Sequence, residues 1–236
     1  MSKKIKEARL HDKIYLKESR YNNPKDSFKF LIKILKKKTY SKKVYDVLDI
    51  GCANGELLYQ LNRSFKNFRL FGYEIRKDLL VKAKKQNSDK VTLKCLDINK
   101  KLNFNQKFDI IICSGLLSIF NNLDKFSNNI KKLSKKNSSI FFFGNFNDYD
   151  YDVIIKYFDK NKNKNVLQTG WNIWSLKTIR NLFKYRKIKI YRFYINKRIL
   201  PRKNDLIRSW TFKFKGKNHF TNGLNLIQNQ MWILLN

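Results

Sequence analysis

The stretch Val44-Tyr45-Asp46-Val47-Leu48-Asp49-Ile50-Gly51-Cys52-Ala53-Asn54-Gly55 constrains the chain more than any other. Val47, Leu48 and Ile50 form the short apolar run that a parallel strand buried on both faces requires, and Gly51 and Gly55 punctuate its end. Helical spacing resumes in Glu56-Leu57-Leu58-Tyr59-Gln60-Leu61. A strand, a glycine turn and a helix N-terminus let backbone N–H groups approach a ligand closely, because glycine places no side chain in the way. The glycines are spaced Gly-x-x-x-Gly, whereas the dinucleotide fingerprint Gly-x-Gly-x-x-Gly would put a glycine at Glu56. Nicotinamide chemistry is therefore disfavoured, and a small ligand of another kind is expected.

At 236 residues the chain suffices for one α/β domain with a full core, so residues 1–236 are expected to form a single domain with 1–22 as an N-terminal extension. Hydrophobic residues at 42% argue against disorder even with 30% charged residues. No apolar run approaches the roughly 18 residues of a membrane span, and Met1-Ser2-Lys3-Lys4-Ile5-Lys6 has no apolar signal core behind it, so the expected location is cytoplasmic. Cys52, Cys95 and Cys113 match no zinc spacing and are expected as buried reduced thiols. No set of paired carboxylates and histidines suggests a metal. The net charge of +34 invites a nucleic-acid partner. Its lysines, however, are spread from end to end in pairs and triplets, which reads as a solvated surface with nonspecific nucleic-acid binding at low salt.

Asp49-x-Gly51-x-Ala53-x-Gly55 resembles motif I of the class I S-adenosylmethionine-dependent methyltransferases, Asp/Glu-x-Gly-x-Gly-x-Gly, with alanine at the middle glycine. The resemblance implies a Rossmann-like fold and S-adenosylmethionine as cofactor. Its methionine part would lie over Gly51, Cys52, Ala53 and Gly55, with Asp49 fixing the loop and the amino group. The downstream chain supports the resemblance. Phe68 to Ile75 reads as a second strand, and Glu74 falls 25 residues beyond Asp49, near the position at which nucleotide folds place an acid on the ribose hydroxyls. Val91 to Leu96 is a third strand ending at Asp97-Ile98, where the resemblance implies a contact to the adenine amino group; a simple turn before Asn99 is the alternative. Phe108 to Cys113 is a buried fourth strand, and Cys113-Ser114 would line cofactor and substrate. Ile75 belongs to the same edge. Ser19-Arg20-Tyr21 resembles the family's N-terminal element that folds over the cofactor, or is a surface loop that pins the first helix. That helix is expected to start at Asn23-Pro24-Lys25-Asp26.

Ser139 to Gly144 gives a fifth strand; Lys187–Asn196 and Met231–Leu235 read as two more, the last antiparallel. The expected fold is thus α/β: a doubly wound, mostly parallel seven-stranded sheet with helices on both faces, and a β-hairpin insertion within 197–229 over the active site. The Asp-rich segment Asn145–Asp152 either supplies a base, such as Asp148, or caps a helix over 153–158. Trp171 and Trp174 either wall a substrate pocket or pack on the core. The pattern Trp210-Thr211-Phe212, Asn222-Gly223 and a final apolar strand is similar to methyltransferases of surface-polysaccharide and small-molecule modification.

Methyl transfer from a sulfonium is an in-line displacement, so positioning dominates and a base is needed chiefly for a hydroxyl. Of the two histidines, His219 lies in the insertion and is the candidate base; His11 lies in the N-terminal extension. The absence of an Asn/Asp-Pro-Pro-Tyr/Phe signature speaks against base N-methylation. O-methylation of a small-molecule or glycan acceptor is the leading reading. An RNA methyltransferase, or a non-catalytic binding protein that retains the cofactor, are the alternatives.

Overall fold

The computed structural model describes residues 6–8, 14–87, 89–103, 105–159, 163–203 and 207–225. The chain divides into two compact units, Met1–Ile188 and Lys189–Asn236.

The first unit is built on a five-stranded sheet of β1 (Tyr45–Ile50), β2 (Phe68–Glu74), β3 (Val91–Cys95), β4 (Phe108–Ser114) and β5 (Ser134–Phe143). Its order is β3-β2-β1-β4-β5, and every neighbouring pair is parallel. All six residues of β1 are buried, as its central place demands. Successive side chains point to opposite faces. Val47, Ile110 and Ile112 meet Leu35 of α1 (Asp26–Lys38) and Leu58 and Leu61 of α2 (Glu56–Ser64). Leu48, Ile111 and Cys113 meet Phe126 and Ile130 of α4 (Asp124–Leu133) and Ile179 of α5 (Leu176–Leu182). Helix α3 (Lys77–Gln86) joins β2 to β3. The doubly wound parallel architecture therefore holds.

A bulge at the start of β5 sets Phe108 opposite Ser134 and Ile110 opposite Ser139. Lys135, within it, reaches Asp46 of β1 at 3.0 Å and Asp109 of β4 at 2.7 Å, at the amino ends of these strands. Arg69 pairs with Asp46 at 2.7 Å.

Several expected elements differ. Residues 187–196 are irregular: Ile188, Ile190 and Tyr191 stand exposed, and the alternating pattern finds no partner strand among the described residues. Met231–Leu235 lies outside the described residues, so five strands of the expected seven are seen in the main sheet. Residues 153–158 are not a helix. Lys156–Asp159 pairs antiparallel with Asn163–Thr169, which also takes Lys6–Ala8 as a parallel neighbour. A short apolar run suits either state, and the neighbouring strand decides it. Helix α1 begins at Asp26, later than Pro24, because Lys25 is extended at ψ 141°.

In the second unit, Trp210–Phe214 and Lys217–Thr221 form an antiparallel hairpin turned at Lys215-Gly216, both left-handed at φ +47° and +73°. Among the described residues no helix is long and apolar enough to cross a membrane.

Candidate active site

The carboxyl ends of β1 to β4 border one cavity, as an open parallel sheet places its ligands. Asp49, Gly51, Cys52 and Ala53 line it from β1 and its turn, Glu74 and Ile75 from β2, Asp97 and Ile98 from β3, and Ser114 from β4. The sequence-derived residues on these four strand ends, Cys113 excepted, are thus brought together.

The turn after β1 is held in the left-handed region at Gly51 (φ +70°), Ala53 (φ +49°) and Gly55 (φ +80°). Ala53 occupies a conformation that favours glycine. Glu74 fixes it there: Oε2 accepts the Ala53 N–H at 3.0 Å, and Oε1 accepts the Arg76 N–H at 3.0 Å. Gly51 and Cys52 N–H groups donate to the Tyr73 carbonyl at 2.7 and 3.2 Å, tying the turn to β2. Asp97 Oδ1 accepts the Asn99 N–H at 2.9 Å, so it forms the expected turn and lines the cavity as well.

Asp49 is buried. Burial, then the Glu74 charge, push its carboxyl up to about 8, with Lys25 acting in the opposite direction. Burial likewise drives the Cys52 and Cys113 thiols well up, so both stay protonated. Cys95 is exposed, against the expectation of burial.

Gly55, Cys113, Arg20 and Tyr21 do not border the cavity. Gly55 precedes α2, and a side chain there would meet Asn87 Nδ2 at 2.5 Å and Ala83 Cβ at 3.0 Å, so its bareness serves the packing of α2 on α3. Cys113 is fully buried inside β4. Arg20 donates its backbone N–H to Glu56 Oε1 at 2.7 Å, and the buried Tyr21 hydroxyl donates to the Asn54 carbonyl. Both brace the turn from behind.

Sequence reasoning missed Asn54, Lys25, Tyr15 and Lys82. Asn54 Nδ2 donates to the Tyr15 and Glu18 carbonyls at 3.2 and 3.3 Å. Lys82 of α3 donates to the carbonyls of Tyr15, Leu16 and Glu18 at 3.2, 2.9 and 2.6 Å. These bonds strap the segment before α1 beside the turn, where Tyr15 and Lys25 become cavity wall, Lys25 lying over the Tyr15 ring at 5.7 Å. No local pattern marks such long-range contacts.

Opposite the strap, Gly115 (φ +78°) has no atom within 4 Å of where a Cβ would stand. The wall from Leu116 to Phe120 is held from outside: Trp174 Nε1 donates to Leu117 O at 2.9 Å and Asn172 Nδ2 to Phe120 O at 2.7 Å. Trp174 therefore packs in the core. In the Asp-rich segment, Asp150 pairs with Lys177 at 2.7 Å, and Asp152 accepts from Ser175 N–H and the Thr178 hydroxyl at 2.7 and 2.6 Å at the start of α5. Asp148 is exposed. His219 lies on the hairpin of the second unit, among Tyr194, Phe212 and Phe214.

Residues 41–198 match the family described as a methyltransferase domain. The chain is 32% identical over 84 residues to a malonyl-(acyl-carrier protein) O-methyltransferase of Acetivibrio thermocellus, covering 35% of this chain and 29% of that protein. It is 27% identical over 101 residues to the Bacillus cereus protein of the same name, covering 42% and 37%. The matched part is thus about a third of the length of these relatives. A chain in the solved complex of the Haloferax volcanii Trm112 methyltransferase activator shares the fold, with TM-score 0.54 and 13% identity over 75% of this chain and 76% of that one.

Proposed function

Because the chain belongs to the methyltransferase-domain family and is a class I S-adenosylmethionine-dependent methyltransferase, we propose that it methylates an oxygen of a small-molecule or glycan acceptor. The observation that carries the reading is the set of three carboxylates, Asp49, Glu74 and Asp97, on successive strand ends around a turn kept open by left-handed backbone. This donor set fits the cofactor. Glu74 accepts a backbone N–H on each oxygen at the end of β2, where a carboxylate suits a pair of ribose hydroxyls. Asp97 keeps an oxygen for an adenine amino group, with Ile98 as apolar wall. Asp49, whose ionised form a bound ammonium would favour, and the Lys25 cation suit the two ends of an amino acid. When bound, the cofactor supplies a methyl group on a sulfonium; the protein's part is to align donor and acceptor and to exclude water.

Oxygen as the accepting atom is supported by the names of the two curated relatives. A carboxylate oxygen needs no base, and no histidine lines the cavity among the described residues. A hydroxyl acceptor would need one, and His219 and Asp148 are then the candidates. Incubation with cofactor labelled in its methyl group, followed by separation of small molecules, glycans and RNA, tests the reading. Label in a small-molecule or glycan fraction supports it. Label in RNA alone would replace the acceptor, and tight binding with no transfer would leave a cofactor-retaining binding protein.

A further inference from the structure

The hairpin of the second unit carries an exposed aromatic face. Phe212 and Phe214 alternate on one face and are 47% and 55% exposed. His219 pairs with Phe212 across the hairpin, its ring 5.6 Å from Phe212, 5.9 Å from Phe214 and 5.5 Å from Tyr194. Asn218 Nδ2 donates to Ile195 O at 3.0 Å, and Thr211 N–H to Ile199 O at 2.9 Å, which lash the segment bearing Tyr194 to the hairpin. The rings are therefore presented by a fixed scaffold.

Ammonium groups lie over two of these rings. Lys217 lies 4.6 Å from the Tyr194 ring centre and Lys215 5.5 Å from that of Phe214. Between positions 189 and 225 the sequence has ten lysines and arginines against one acid, Asp205. Exposed rings alone would suit many apolar partners. Exposed rings accompanied by flexible lysines suit a partner with flat faces and a negative backbone, and unstacked bases on a phosphodiester chain have both.

We propose that the Tyr194–Phe212–Phe214–His219 face is a docking surface for single-stranded nucleic acid, RNA in the cell, with bases stacked on the rings and phosphates held by Lys215 and Lys217. The inference is independent of the acceptor proposed above and needs no cofactor.

Charge and stacking are separable by experiment. A surface that reads charge alone prefers duplex RNA or polyphosphate, whose charge density is higher, whereas a stacking face prefers a single strand. Full-length protein would be titrated, without cofactor, against fluorescent oligouridylate, a duplex of equal length and a polyphosphate, at several salt concentrations. The single strand is expected to bind most tightly. Phe212→Ser with Phe214→Ser is expected to weaken it by about tenfold or more with little change toward polyphosphate. Phe212→Trp with Phe214→Trp restores the preference and controls for hairpin folding. Equal binding of polyphosphate, preference for duplex, or an unchanged single-strand affinity in the Ser variant would overturn the proposal.

Discussion

Glu74 accepts the backbone N–H of Ala53 at 3.0 Å, so the carboxylate that ends β2 holds the turn that follows β1. The alanine where the family has glycine is left-handed at φ +49° and is kept there by this bond. Left-handed backbone costs a residue with a Cβ roughly 1–2 kcal/mol, while glycine loses about 0.4–1 kcal/mol more chain entropy on folding. Ala53→Gly is therefore expected to leave stability unchanged or raise it by up to about 1 kcal/mol, with cofactor affinity retained. Ala53→Val should lose more than about 1 kcal/mol in urea unfolding, because branching worsens the strain. Equal stability of the two variants would contradict this account of the turn.

Asp49 predicts a pH signature. Its folded pKa of about 8 lies above the ordinary carboxylate value, so in ligand-free protein its contribution to stability is full at acid pH and declines as pH rises toward 8. A bound ammonium group has the opposite preference and favours the ionised carboxylate. Binding of S-adenosylhomocysteine between about pH 6 and 8 should release a proton, visible as a calorimetric heat that depends on buffer ionisation enthalpy. Asp49→Asn should abolish that dependence. Heats independent of buffer in the parent protein would remove Asp49 from the amino-group site.

Lys82 is predicted to govern how firmly the Tyr15 wall of the cavity is held. Its three carbonyl contacts, at 3.2, 2.9 and 2.6 Å, hold the Tyr15–Glu18 segment that walls the cavity. Lys82→Met should speed S-adenosylhomocysteine dissociation about fivefold, discounting a charge-assisted bond for partial exposure. A stopped-flow displacement trace identical to that of the parent protein would count against the strap.

At the opposite end of the sheet, Lys135 offsets two carboxylates at the amino ends of the adjacent strands β1 and β4. Burial raises Asp109, but bonds from Lys135 and the Asp46 N–H prevail and hold it below the usual range; the bond to Asp109 in turn raises Lys135. The depressed Asp109 contributes stability above its unfolded pKa of about 3.9 and loses it as pH falls through the folded value. The raised Lys135 contributes below about pH 10.4 and loses it above. Lys135→Met should destabilise by about 1–3 kcal/mol at pH 7, less than for a fully buried pair because the lysine is 40% exposed. The difference from the parent protein should shrink below about pH 4.

Much of this site was legible because motif spacing and strand order are local properties. Asp49, Gly51, Glu74 and Asp97 follow from an apolar run, a glycine turn and an acid at each strand end. Arg20 and Tyr21 are expected from the sequence to fold over the cofactor or to pin the first helix, yet they brace the turn through Glu56 and Asn54 and do not border the cavity. Lys82, Asn54 and Lys135 were invisible because each acts across the fold, through carbonyls or a bulge that no spacing encodes. The misread segment 153–158 and the irregular 187–196 share one cause: short apolar runs take their state from a neighbour, and the neighbour is not in the run.

Calorimetric titration with S-adenosylhomocysteine, beside an NADH control, tests the central assignment most directly. The parent protein should bind S-adenosylhomocysteine and ignore NADH. Gly51→Val, which forces a β-branched residue into φ +70° with its Cβ 2.8 Å from Leu116, should not bind. Binding of S-adenosylhomocysteine by neither protein, or equally by both, would contradict the placement of the cofactor over the turn.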